Sequence, residues 1–177
     1  MLTIDPKHSL LLLIDFQSRL MPAIHDGEAA IRNAKKLVEM AKLVDVPRLF
    51  TEQNAKGLGS TVEDLPVDEG RLIHKQCFDA CRAEGFLERM PADGHIIVGG
   101  CEAHVCVLQT VLGLLAPSRR IFVVRNAIGS RDPEDKHAAL ARMARHGAEI
   151  VTAEMVVFEW LQNADHPRFR QAMTLIK

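Results

Sequence analysis

The chain has no excess of either charge. Its 22 Lys and Arg against 23 Asp and Glu leave a formal net charge of −1. That removes the electrostatic footprint by which nucleic acid or an anionic membrane selects a protein. No long hydrophobic run is present: Leu10 to Ile14 is stopped by Asp15, far short of the roughly 20 residues that span a bilayer. Cysteine is sparse, with only Cys77, Cys81, Cys101 and Cys106 in 177 residues. That is too thin for a disulfide scaffold, and no signal-peptide pattern opens the chain, so reduced thiols and a cytoplasmic location are expected. Several signatures of nucleotide and ester chemistry are missing too. The first strand is followed by Asp15-Phe16-Gln17-Ser18-Arg19 rather than G-x-G-x-x-G, and no Walker lysine motif or G-x-S-x-G elbow occurs. Gln17 also denies Asp15 the second carboxylate of a D-x-D phosphate site.

What is present is an alternation of strand and helix along one domain, residues 1–177, with 47% hydrophobic and 25% charged residues. Leu10–Ile14 is the continuous apolar run of a strand buried on both faces. Further strands are expected at Pro47–Thr51, Arg71–Lys75, His95–Gly99, Arg120–Val124 and Glu149–Thr152. Between Glu28 and Val44, Ile31, Ala34, Leu37, Val38 and Ala41 share one helical face. Other helices are expected over Ala80–Arg89, Val105–Leu115 and Pro133–His146, with terminal ones at Glu154–Leu161 and Pro167–Leu175. Such alternation argues for an α/β fold with a parallel sheet covered on both faces. The one long irregular stretch, Glu52–Gly70, has the length of an active-site flap or an interface arm.

In such a sheet, ligands sit outside the carboxyl ends of the strands. Asp15 follows the first strand, Lys75 ends the third, and Cys106 opens the helix after the fourth, so all three belong to one edge. Each has a plainer role when taken singly: a turn residue, a solvated charge, a small core hydrophobe. Together they compose a thiol nucleophile with a general base and a cation. A helix start with nearby charges is expected to bring a thiol from near 8.5 to roughly 3.5–7.5. Asp15 would take the thiol proton and return it to a leaving group, while Lys75 would keep the carboxylate ionised. The His and Cys residues offer a weaker alternative. Cys77-x3-Cys81 and Cys101-x2-His104 form no paired zinc knuckle, and no metal is expected.

LLLIDFQ at 11–17, TEQNAKGLGST at 51–61, HKQCFDA at 74–80 and GGCEAHVCVLQT at 99–110 resemble, in order and spacing, the isochorismatase-like cysteine hydrolases. The likeness is closest to the metal-free isochorismatase-domain-containing branch and runs from about Leu11 to Thr152. It implies a three-layer α/β/α, Rossmann-like fold with a six-stranded parallel sheet in order 3-2-1-4-5-6. It also implies an Asp–Lys–Cys triad at Asp15, Lys75 and Cys106. The oxyanion hole would be made by the backbone N–H groups of Glu102 and Cys106, with a cis peptide at Cys101–Glu102. Nicotinamidase-type members carry metal-binding Asp and His after strand two, where this chain has Thr51-Glu52-Gln53-Asn54-Ala55. Isochorismatases proper typically lack the cysteine.

The expectation is therefore a metal-free, cofactor-free hydrolase that cleaves a small amide-type C–N bond through a thioester. Phe16, Gln17, Gln53, Phe78 and His104 are the candidate substrate contacts. A small-molecule substrate, no nucleic-acid or membrane partner, and a homo-oligomer complete that expectation. Two other readings stand beside it: a catalytically idle binding or assembly module, and a redox-active thiol protein using Cys101 and Cys106.

Overall fold

The computed structural model describes residues 2–68, 70–116 and 118–176. Six strands form one parallel sheet: β1 (Ser9–Ile14), β2 (Arg48–Gln53), β3 (Leu72–Lys75), β4 (Gly94–Cys101), β5 (Arg119–Gly129) and β6 (Glu149–Val151). Their order is β3-β2-β1-β4-β5-β6. The central strand β1 is buried along its whole length, which is why its sequence is an unbroken apolar run. It pairs on one side through Leu12 with Leu49 and on the other through Leu12 with Val98.

Successive side chains of each strand enter opposite core layers. Leu11, Leu13, Phe50, Phe122 and Val124 pack with Trp160 on the side of α1 (Gly27–Leu43), α5 (Ala153–Leu161) and α6 (Phe169–Ile176). Leu10, Leu12, Ile14, Leu49, Ile73 and Val98 pack on the side of α3 (Leu108–Leu114) and α4 (Pro133–Arg145). Ala30, Ala34, Leu37, Val38 and Ala41 bury one face of α1, following the helical period read from the sequence.

Three elements depart from the sequence expectation. Ala80–Arg89 is not a helix but two single turns, Ala80–Arg82 and Leu87–Arg89. Gly85 between them sits at φ +74, which no α-helix accommodates, and buried Phe86 anchors the break. The segment expected as one helix from Val105 begins earlier, as a π-helical turn over Ala103–Val107, before α3 starts at Leu108. There the Glu102 carbonyl accepts from both Val105 N–H (3.1 Å) and Val107 N–H (3.2 Å). Finally, β5 does not stop at Val124. It continues past the polar pair Arg125-Asn126 by shifting register, so that Val98 faces Val123 but Gly100 faces Ile128.

The long segment after β2 holds one helical turn, α2 (Ala55–Leu58), and is fastened back onto the chain after β1. Ser18 N–H donates to Ser60 O and Arg19 N–H to Leu58 O, both at 2.9 Å. Among the described residues no helix is long and apolar enough to cross a membrane.

Candidate active site

Asp15 is the first residue past β1 and adopts a left-handed backbone, φ 53, a conformation that Asp tolerates better than most residues. Its N–H donates to Thr51 O at 3.1 Å, and its side chain is turned inward, leaving the residue 1% exposed. Lys75 ends β3, two strands away. Its ammonium donates to Asp15 Oδ2 at 2.7 Å and to the carbonyls of Cys77 (3.3 Å) and Phe78 (3.4 Å). Three acceptors match the three protons of the ammonium, the condition under which a buried cation is tolerated.

Cys106 lies in the π-helical turn and is 7% exposed. The charges that bear most on its thiol are those of Asp15 and Lys75, so the three residues that the sequence placed on one sheet edge lie together. The expected lowering of the thiol is reversed, however. Burial first, then the Asp15 carboxylate, push Cys106 up to about 12, and Lys75 opposes them only in part. The resting site holds a neutral thiol against an ion pair, and any attack by sulfur requires a base at the moment of reaction.

The remaining candidates divide. Glu102 precedes the π-helical turn after a cis Cys101–Glu102 peptide, and its carboxylate accepts from Arg131 N (3.1 Å) and Nε (3.0 Å). Phe78 is exposed beside Lys75. Gln53 turns its amide to Gln76 O at 3.1 Å. His104 bonds Ser130 Oγ through Nδ1 at 3.0 Å and lies 3.5 Å from Asp135 through Nε2. Phe16 and Gln17 face inward. Phe16 is 1% exposed in the α1-side core. The Gln17 amide is committed at both ends, donating to Gly59 O (2.6 Å) and accepting from Gln53 N (2.9 Å). That pairing fastens the flap to β2.

Sequence reading missed two buried polar residues. Thr51 donates its hydroxyl to Asp15 Oδ1 at 2.6 Å. Glu52 accepts from Thr61 N (2.7 Å) and Oγ1 (2.8 Å), a second fastening of the flap. The available signal was a hydroxyl and a carboxylate at the end of an apolar strand facing the candidate edge. All four cysteines are free thiols. Cys101 lies in the core layer opposite the one that holds Cys106. Among the described residues no group of three or more His, Cys, Asp or Glu is placed to hold a metal ion.

The isochorismatase-domain family model matches residues 9–155. Isochorismatase domain-containing protein 2A of Mus musculus is 34% identical over 173 residues, 97% of this chain and 84% of that protein. The structure of the MAR1 ribonuclease from Caenorhabditis elegans superposes with a TM-score of 0.90 at 32% identity, covering 98% of this chain and 92% of that one. The Escherichia coli YcaC gene product, described as an octameric hydrolase of unknown specificity, shares the fold with a TM-score of 0.87 at 24% identity, covering 98% and 96% of the two chains. With its six-stranded parallel sheet in order 3-2-1-4-5-6 and a family match over most of its length, this chain belongs to the isochorismatase family.

Proposed function

We propose that this protein is a cysteine hydrolase of a small amide-type C–N bond, with Cys106 as nucleophile, Asp15 as general base and acid, and Lys75 as the cation that holds Asp15 ionised. The observation that carries the reading is the convergence of a neutral buried thiol with a buried carboxylate–ammonium pair. As Cys106 Sγ attacks the carbonyl carbon, its proton passes to Asp15 and a C–S bond forms. The N–H groups of Cys106 and Glu102 receive the developing oxyanion. Collapse breaks the C–N bond, and the amine leaves with the proton from Asp15. Water, deprotonated by Asp15, then attacks the thioester. The acid departs, and sulfur recovers the proton. Atoms balance as amide plus water giving acid plus amine, and no step calls on a metal or cofactor.

Family membership supports a hydrolase. The word ribonuclease belongs to the C. elegans protein. In this chain, near-neutral charge and a nucleophilic cysteine that is 7% exposed favour a small molecule over a polyanion. A homo-oligomer in the cytoplasm completes the proposal, and light scattering tests the assembly.

A panel of small amides and nitriles, with ammonia release as readout, tests the reaction. Turnover that disappears in Cys106→Ala is expected. Absence of turnover across the panel, with Cys106 no more reactive than in the unfolded chain, would favour the idle-module reading.

A further inference from the structure

Thr51 is 1% exposed and sits in β2 between Ile14 of β1 and Ile73 of β3, two residues of the α3/α4-side core. Packing at such a position calls for a β-branched shape, which valine supplies as well as threonine. The hydroxyl is the part that packing does not explain, since burying one among Ile side chains is unfavourable unless it is bonded. Its bond is to Asp15 Oδ1 at 2.6 Å, while Lys75 takes Oδ2 at 2.7 Å. The Thr51 carbonyl also accepts from Asp15 N–H, so one residue grips both the backbone and the side chain of Asp15.

We infer that Thr51 is a positioning residue for Asp15: its hydroxyl fixes the carboxylate in one rotamer. The inference rests on the proposed role of Asp15 as base. With one donor on each oxygen, the carboxylate plane is set before substrate arrives, and a proton leaving Cys106 meets an oriented acceptor. Without the hydroxyl, Lys75 alone holds the carboxylate. The carboxylate can then turn about the Lys75 contact, and the acceptor for the Cys106 proton is no longer set in place.

The test compares Thr51→Val, Thr51→Ala and Thr51→Ser with the parent protein in alkylation of Cys106 by iodoacetamide across pH, read by mass spectrometry with Cys77 as internal reference. Loss of one hydrogen bond to a charged group predicts Cys106 alkylation slowed about 10- to 100-fold near neutral pH in the Val variant. Alkylation of Cys77 should be unchanged. Thr51→Ala should behave likewise if Val disturbs folding, and Thr51→Ser should restore the parent profile. A Val or Ala variant with the parent rate overturns the inference, and so does a Ser variant as impaired as Val. Asp15→Asn is run alongside. If that variant leaves Cys106 alkylation unchanged, the base role of Asp15 fails, separately from anything Thr51 does.

Discussion

At the scale of single residues, burial decides the state of the thiols. Cys101 is wholly buried, and burial pushes it up to about 12 from an ordinary 9.0. Above pH 9 the unfolded chain loses a proton that the folded chain keeps. The stability contributed by Cys101 is therefore complete below pH 9 and is lost as pH rises towards 12. Denaturation midpoints at about pH 8 and about pH 10.5 should fall further in the parent than in Cys101→Ala, and equal falls would refute this. The same physics governs Cys106, and here sequence and structure part. Asp15 and Lys75 were legible because each stands at the carboxyl end of a strand, and Cys106 because it lies in the helical turn that follows one, so strand geometry alone dictates the edge. The ionisation state was not, because it depends on how closely the core seals around the sulfur and on which charge lies nearer. Phe16 and Gln17 show the same limit: adjacency to Asp15 in sequence says nothing about which way a side chain turns after a left-handed residue.

At the scale of elements, the site is made by the close approach of β1 and β4. A Cβ on Gly100 would lie 2.5 Å from the Ile14 carbonyl oxygen and 2.7 Å from Ile14 Cβ, at a backbone φ of +154. Any side chain there would force apart the two strand ends that carry Asp15 and lead to Cys106. Gly100→Ala is expected to cost about 1–3 kcal/mol, the usual penalty of overpacking a core. Turnover should fall with it, since the ends of β1 and β4 set the distance between base and sulfur. An unchanged denaturation midpoint would show that the strands yield without loss. Short apolar runs made the strands readable, whereas the broken segment at Ala80–Arg89 was not, because the helical spacing of its apolar residues hid the left-handed Gly85. The extension of β5 through Arg125 and Asn126 was equally hidden. Asn126 receives a bond from Ala153 N–H at 2.9 Å, and its carbonyl takes another from Asn33 at 2.9 Å, partners distant in sequence.

At the scale of the whole molecule, the sheet order was carried by family resemblance, while the parallel arrangement followed from alternation alone. The first residues are tied across the sheet by contacts that no local pattern reveals: Ile4 N–H to Glu159 (2.7 Å), Trp160 to Ser9 (3.2 Å) and Asp5 N–H to His95 Nδ1 (3.0 Å). His95 must be neutral at Nδ1 to accept that bond. Burial and, after it, Arg120 lower its affinity for a proton from the ordinary 6.5. Below pH 6.5 the unfolded chain binds a proton that the folded one resists, so this contribution is lost as pH falls. Replacement by Gln should flatten the fall in denaturation midpoint between about pH 7 and about pH 5, and a slope equal to the parent's would contradict the assignment.

The central claim is that Asp15 activates a neutral Cys106. Mass-spectrometric rates of iodoacetamide modification at Cys106, with Cys77 as reference, test it most directly. In the parent, proton acceptance by Asp15 outweighs the upward push of its charge on the thiol, so Asp15→Asn should slow Cys106 by about 100- to 10,000-fold while Cys77 is unaffected. Equal rates at Cys106 in the parent and Asp15→Asn, or a parent rate no faster than in the unfolded chain, would contradict the account.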